Sequence, residues 1–380
     1  MNFKKIFFLL PTLLFLSFLS CQKNSEVNQM IEKQVFGTMP DGKEVYIFTL
    51  TNSSGAKAKI TNYGAAVVAL IVPDRNGKME DVVTGFENLE GYINDKSFFG
   101  VTVGRYGNRI AKSKFSIDGV EYNVTANEGE NHLHGGNVGF YKAIWDAEQL
   151  ETEEGPAVKL TLLSPDGEEG YPGNVNMEVV YTFTNTNELR IDYTGTTDKP
   201  TILNPTHHSY FNISGDFTKP ITSQVLQIDA DYYTPVNDKL ITTGELAKVE
   251  NTPFDFREPQ VVGDRIDDDF DQIKFSGGYD HNWVINEYDS KVKKAVELYE
   301  PVSGRVLEVL TDQPGVQFYS GNFMNGTITG KGGVVYNHRT GLCLEPQHYP
   351  DSPNKPDFPS TVLRPGETYK QTTIYRFSTK

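Results

Sequence analysis

The sequence predicts an all-β chain: one large antiparallel β-sandwich domain, running from about residue 34 to the C-terminus. Three observations carry that prediction. Apolar residues alternate with polar ones at a period of two over several long stretches, the pattern of strands with one buried face. Turn signals recur at "PDRNGK", "SIDGVEY", "SPDGEEGYPGN" and "RPGETY", punctuating the chain at the spacing of short strands. Helical periodicity is weak throughout.

The N-terminal segment reads as export machinery. Lys4 and Lys5 precede an apolar run from Ile6 to Leu19, interrupted by Pro11. The run is short for a membrane span and suits a signal-peptide core. It ends in "LSFLSC", with Ser20 before Cys21. This is similar to a lipoprotein cleavage site, although Phe18 stands where a smaller aliphatic residue is usual. Residues 1–20 are therefore expected to be a lipoprotein-type signal peptide and Cys21 a lipidated first residue, anchoring the protein in the bacterial cell envelope. Residues 21–33, including the polar "QKNSEVNQM", read as a tether.

Within 34–380 the elements follow from local pattern. "FENLEGYIND" has room for a short helical turn or two. "VNMEVVYTFT" and "ELRIDYTGTT" are strands joined by the turn "NTNE". "KAVELYEPVSGRVLEVLTD" is a hairpin around "PVSG". In "GLCLEP", Leu342 and Leu344 face one way and Cys343 and Glu345 the other, with Pro346 expected to end the strand. No composition shift marks a linker, so one domain is expected, with two smaller sandwiches as the alternative.

Charge and cysteine content narrow the function classes. The chain has 35 basic and 50 acidic residues, a net of −15; loss of Lys4 and Lys5 with the leader takes it to −17. Such a surface repels phosphate backbones and disfavours nucleic acid as a partner. Cys21 and Cys343 are the only two cysteines, so stability must come from a large core. Cys343 reads as a small buried hydrophobe.

Polar clusters gather beside Gly or Pro: "GRYGNRIAKSKF" with Arg105 and Arg109, "NHLHGG" with His132 and His134, "THHSYFN" with His207 and His208, "GGYDHNW" with Asp280 and His281, "QPGVQFYSGN" with Gln317, and "CLEPQHYPD" with Glu345. Asn, Gln, Arg, Asp, His and aromatics suit sugars, because forked donors and acceptors match vicinal hydroxyls and aromatic faces match the C–H face of a pyranose. His132 and His134, two apart, would share a strand face and can chelate, but no zinc spacing is present. The acidic run "DRIDDDFD" lacks a calcium-loop pattern and reads as a solvated loop. Adjacent His207 and His208 must point to opposite faces of a strand, so one of them enters any common pocket.

The motifs "GRYGNRIA", "LHGG", "SPDGEEGYPG", "HSYFN", "GGYDHN", "SGRVLEV", "QPGVQFYSGN", "CLEPQ" and "LRPGETY" occur in the order of the aldose 1-epimerase (galactose mutarotase) family, which the chain resembles from about Phe36 to Phe377. The resemblance implies a galactose mutarotase-like β-sandwich. It also implies interconversion of α and β anomers of free hexoses such as galactose and glucose, by acid–base ring opening and reclosure. By the same resemblance His208 is the general acid and Glu345 the general base, with sugar contacts from Asn108, Arg109, His134, Tyr210, Asp280 and Gln317. His207 stands where family members commonly carry Asn. No metal is expected at the site and no cofactor is needed, since no electrons move; a structural cation such as calcium stays open. Expected partners are a monosaccharide and, through Cys21, a membrane, and the chain is expected to be a monomer. The competing function is a noncatalytic carbohydrate-binding lipoprotein of the same fold. A glycoside hydrolase would need two carboxylates about 5–10 Å apart, for which Asp280 and Glu345 are the candidates.

Overall fold

The computed structural model describes residues 1–2 and 30–380. The signal-peptide reading, Cys21 and most of the tether lie outside the described residues. The first strand is Met30–Thr38, so residues 30–33 belong to a sheet and not to the tether.

Three antiparallel sheets carry the architecture. A nine-stranded sheet runs, in spatial order, through Asp146–Glu151, Pro156–Ser164, Val175–Phe183, Glu188–Thr197, Tyr369–Thr379, Arg305–Thr311, Lys293–Tyr299, Val225–Ile228 and Gln260–Val261. A six-stranded sheet orders Tyr210–Phe211, Leu342–Gln347, Gly315–Tyr319, Asp280–Val284, Tyr232–Thr234 and Ala247–Lys248. A five-stranded meander spans Met30 to Asp81. The patterned segments fall where alternation put them: Val175–Phe183 pairs with Glu188–Thr197, and Lys293–Tyr299 with Arg305–Thr311. The short helix is Leu89–Asn94, capped by the Asn88 side chain accepting from the Gly91 N–H at 2.9 Å.

One apolar core takes residues from all three sheets, among them Phe48, Val179, Trp283, Phe318, Leu344 and Tyr375. The two larger sheets meet directly there: the rings of Phe211 and Tyr375 lie 4.9 Å apart, and the Tyr375 hydroxyl donates to the Leu344 carbonyl at 2.8 Å.

The six-stranded sheet explains where chemistry can occur. Directly opposed residues in an antiparallel pair share a face. Tyr210 opposes Cys343, Cys343 opposes Tyr319, and Tyr319 opposes Asp280. In the next row on the same face, Glu345 opposes Gln317 and Gln317 opposes Asn282. The alternate positions, including Leu344, Phe318 and Trp283, turn into the core. The sheet thus has one apolar face and one polar face. The Glu345 strand does not stop at Pro346; it continues to Gln347, with Pro346 opposite Val316. The neighbouring strand Tyr210–Phe211 opposes only Cys343 and Leu342, so the sheet is already one strand narrower at the proline, where a missing donor is tolerated. The Pro346 carbonyl accepts from Thr206 Oγ1 at 2.9 Å and Gln371 Nε2 at 3.2 Å.

Candidate active site

A pocket opens on the polar face. Its wall includes Asn108, Arg109, Glu128, His134, His208, Tyr210, Asp280 and Tyr319, with Lys96, Phe98 and Phe323 toward the rim. Glu345 and Gln317 stand in the sheet row beside Asp280 and Cys343, both buried.

His208 and Glu345, 137 positions apart in the chain, meet here: His208 Nε2 lies 3.7 Å from Glu345 Oε1. The carboxylate is 2% exposed, and its Oε2 has no hydrogen-bond partner among the described residues. Burial pushes the Glu345 pKa well up, Asp280 adds to the rise and Arg109 opposes it. Burial also holds the His208 pKa down at about 4. On the far side of the ring, Cys343 Sγ lies 3.5 Å from His208 Nδ1. Burial first, then the Glu345 and Asp280 charges, raise the Cys343 pKa well above its ordinary value. It is therefore an un-ionised thiol whose sulfur can accept from Nδ1–H, which leaves the Nε2 lone pair facing Glu345.

The adjacent histidine takes the other face. His207 is buried with Nε2 2.7 Å from Ser209 Oγ and its ring between Tyr181 and Tyr375. Burial, with His208 beside it, drops its pKa to about 3. It belongs to the core.

Arg109 anchors the second half of the pocket. Its guanidinium donates Nε to Glu128 Oε2 at 2.7 Å and Nη2 to Glu128 Oε1 at 2.6 Å, a bidentate pair, while Nη1 lies 3.9 Å from Asp280 Oδ2. Burial works against its charge, but Asp280 and Glu128 outweigh that and its pKa is raised. Gln317 Nε2 donates to Asp280 Oδ1 at 2.7 Å. Burial still raises the Asp280 pKa, against Arg109 and Gln317. Asp280 is thus committed to Arg109 and Gln317. Tyr210 donates its hydroxyl to the Ser97 carbonyl at 2.8 Å, tying the sheet to the loop that forms the rim.

His134 and His132 do not share a face. The strand His132–Leu133 ends before His134, whose backbone is left-handed at φ +52. His132 turns inward, its Nδ1 2.6 Å from the Thr125 carbonyl and its Nε2 2.6 Å from the Tyr171 hydroxyl. The chelating pair expected from their spacing is therefore not formed; parity fails where the backbone leaves the strand. His134 enters the pocket with its ring 5.1 Å from that of His208. Nitrogen and oxygen atoms of His134, His208 and Glu345 lie within 4.8 Å of one another. However, His134 Nδ1 accepts from the Asn108 N–H at 3.1 Å. A neutral ring then carries its hydrogen on Nε2 and shows the pocket a donor, which fits a hydroxyl oxygen and not a metal ion. Burial, then the His208 and Arg109 charges, hold the His134 pKa well below its ordinary value. Asn108 sits at φ +61, and its Oδ1 accepts from the Arg109 N–H at 2.9 Å; its side chain steadies this turn.

Two more residues of the early clusters, besides His207 and His132, serve structure. Arg105 is buried and spent on Ser164, Pro165 and Pro172. His281 faces Gln272 Oε1 at 3.1 Å, away from the pocket row. Conversely, sequence reasoning gave no role to Glu128, which orients Arg109 from 19 positions away, or to Phe98; neither belongs to a motif with a mechanism of its own.

A family model described as aldose 1-epimerase matches residues 46–376. Galactose mutarotase of Rattus norvegicus is 43% identical over 349 residues, covering 92% of this chain and 98% of the relative. Aldose 1-epimerase of Escherichia coli K12 is 36% identical over 340 residues, covering 89% and 96%. Among solved structures, galactose 1-epimerase of Lactobacillus acidophilus NCFM superposes with a TM-score of 0.81 at 30% identity, covering 93% of this chain and 99% of that one. The GalM/aldose epimerase homologue of C. elegans gives 0.78 at 31%, covering 88% and 98%.

The Asn108–His134 contact is directly observable. Nitrogen-15 NMR should show His134 neutral, with Nε2 protonated and Nδ1 bare, at pH values below the ordinary histidine pKa; an Nδ1–H tautomer would contradict the geometry.

Proposed function

Because the chain belongs to the aldose 1-epimerase family, we infer that it is an isomerase interconverting the α and β anomers of free hexoses, galactose and glucose foremost. The single observation that carries the reading in this molecule is the buried imidazole–carboxylate pair, His208 Nε2 to Glu345 Oε1 at 3.7 Å, beside a wall of hydroxyl-binding groups.

In this reading the hexose lies with its C1–O5 edge against the pair. Glu345 takes the proton of the C1 hydroxyl while His208 delivers one to the ring oxygen. The C1–O5 bond breaks and the C1–C2 bond makes half a turn. Reclosure on the other face of the carbonyl returns both protons. Positioned proton transfer of this kind contributes about 10²–10⁴-fold. Arg109, held flat by Glu128, and Asp280, held by Gln317, bind ring hydroxyls from the opposite side; the His134 Nε2–H donates to a further oxygen. Asn108 holds His134 and the Arg109 backbone, and Tyr210 supports the rim.

The pair works with one shared proton. With the pocket empty, burial favours uncharged Glu345 and uncharged His208. Moving that proton from Glu345 to His208 prepares the base and the acid together. Binding of a hydroxyl that donates to Glu345 favours this transfer.

We further propose that residues 1–20 are a lipoprotein-type leader, that Cys21 carries the lipid and that the protein works as a monomer in the bacterial cell envelope. Support comes from Lys4–Lys5, the apolar run and "LSFLSC". An enzyme so placed would equilibrate anomers released by polysaccharide breakdown before uptake.

Polarimetry on freshly dissolved α-D-galactose and α-D-glucose tests the activity. Glu345→Gln and His208→Gln should each lower kcat/KM at least about 10²-fold, whereas His207→Asn should keep near-normal activity; wild-type protein no faster than spontaneous mutarotation would end the reading. The pH profile follows from the one-proton pair. Activity falls as pH drops through the lowered His208 pKa, about 4, because a second proton then occupies the pair. It falls again as pH rises through the elevated Glu345 pKa, where the pair loses its only proton. Background-corrected kcat/KM should therefore rise through about pH 4 and then hold level until the elevated Glu345 pKa is reached, and an acid limb near the ordinary histidine value would contradict the burial argument. For the anchor, globomycin should block processing in cells; unchanged processing would reject a lipidated Cys21.

A further inference from the structure

We propose that Phe98 is the aromatic platform against which the C–H face of the bound sugar packs, an inference that rests on the hexose reading of the same pocket. No hydroxyl-binding group can recognise that face; of the aromatic rings lining the pocket, Tyr319 and Phe323 lean on each other at 5.7 Å, and Phe98 is the one that stands beside both His134 and His208.

The loop carrying Phe98 is constructed to present it. Phe98 and Phe99 are neighbours with opposite duties. Phe99 is fully buried, its ring against Tyr210 at 4.7 Å and against Phe86 and Tyr336 at 5.5 Å each. Phe98 is partly exposed and lines the pocket. Its ring stands 4.7 Å from His134, 4.9 Å from Tyr141 in an edge-on contact, and 5.8 Å from His208. The ring is thus braced from one side by Tyr141 and lies next to both pocket histidines.

The backbone is strained to achieve this. Phe98 has φ +63, a left-handed conformation that a bulky side chain rarely adopts. Asp95 clamps the turn from both sides, its Oδ1 accepting from the Ser97 N–H at 2.8 Å and its Oδ2 from the Phe99 N–H at 3.0 Å. Tyr210 holds the Ser97 carbonyl from below. The other two left-handed residues in the pocket wall are Asn108, φ +61, and His134, φ +52. Asparagine tolerates that region, while phenylalanine gains nothing from it locally. An outlier of this type at a ligand pocket points to use by the ligand. A planar apolar ring beside the proton-transfer pair is what a pyranose held there by its hydroxyl edge requires on its flat side.

The competing role is a shield that only keeps water from His134 and His208. The two roles separate in Phe98→Leu, which keeps apolar bulk and loses the flat face. The groups facing His208 are Glu345, Cys343, His134, Tyr210 and the preceding His207, and all remain in this variant. For a platform, Phe98→Leu raises KM for galactose about five- to tenfold, with kcat and the acid limb within about twofold, and Phe98→Tyr restores KM. Unchanged KM, or a shifted acid limb with reduced kcat, would overturn the proposal in favour of the shield. Calorimetric titration of D-galactose into wild type and Phe98→Leu reads the same contact without turnover. If wild type binds galactose but shows no mutarotation, the isomerase reading fails while weaker binding by Phe98→Leu still upholds the platform. Equal binding by the two proteins rejects it whatever the activity. Circular-dichroism melts establish that the variants are folded.

Discussion

The site depends on keeping a carboxylate inside a dry sheet. Glu345 is almost fully enclosed, with one oxygen facing His208 and the other without a partner among the described residues. A charge in that position costs several kcal/mol unless compensated. Asp280, one row away, makes the cost larger. Arg109 is the counterweight, and it must be held near both acids without collapsing onto Glu345. Glu128 does this from the rim, taking Nε and Nη2 of the guanidinium and leaving Nη1 toward Asp280. The polar half of the pocket is thus a balance of acids around one arginine. That balance leaves Glu345 Oε2 buried and without a partner among the described residues.

Sheet parity delivers these groups. Four strands each contribute alternate residues to the polar face, and antiparallel register aligns them into two rows, Tyr210–Cys343–Tyr319–Asp280 and Glu345–Gln317–Asn282. The same alternation sends Leu344, Phe318 and Trp283 into the core. Rigid packing on one face therefore fixes proton-transfer geometry on the other. A slip of one residue in any of these strands would exchange the two sets.

This explains how much was legible in the sequence. Wherever a residue lies on a regular strand, period-two reasoning worked: the hairpin 293–311 and the placement of Cys343 and Glu345 together. His207 and His208 also part, although His208 lies between the two-residue strands Thr206–His207 and Tyr210–Phe211. Parity alone could not choose between those two histidines; the motif resemblance did. Reasoning failed where the backbone leaves the strand. His132 and His134 share no face because His134 is left-handed, and Pro346 does not end its strand because the sheet has already narrowed there. Glu128 and Phe98 were invisible for a different reason. Each acts through a loop conformation, and a glutamate or phenylalanine in a loop carries no spacing signal of its own.

The two pocket histidines show how environment separates identical side chains. His134 is pinned by the Asn108 N–H, which occupies its Nδ1 lone pair and leaves a fixed donor on Nε2. Burial removes its charge, so it can bind but has little proton to exchange. His208 has only a weak thiol contact behind it and a carboxylate in front. A sulfur partner neither locks the ring as a backbone amide does nor stabilises a positive charge as a carboxylate would. Burial governs its proton affinity, and the carboxyl that faces its Nε2 is Glu345. When a hydroxyl donates to that carboxylate, the proton leaving Glu345 has His208 as its nearest titratable acceptor. In the proposed reaction the acid would thus appear only when there is something for the base to do, and no buried ion pair would form in the empty pocket.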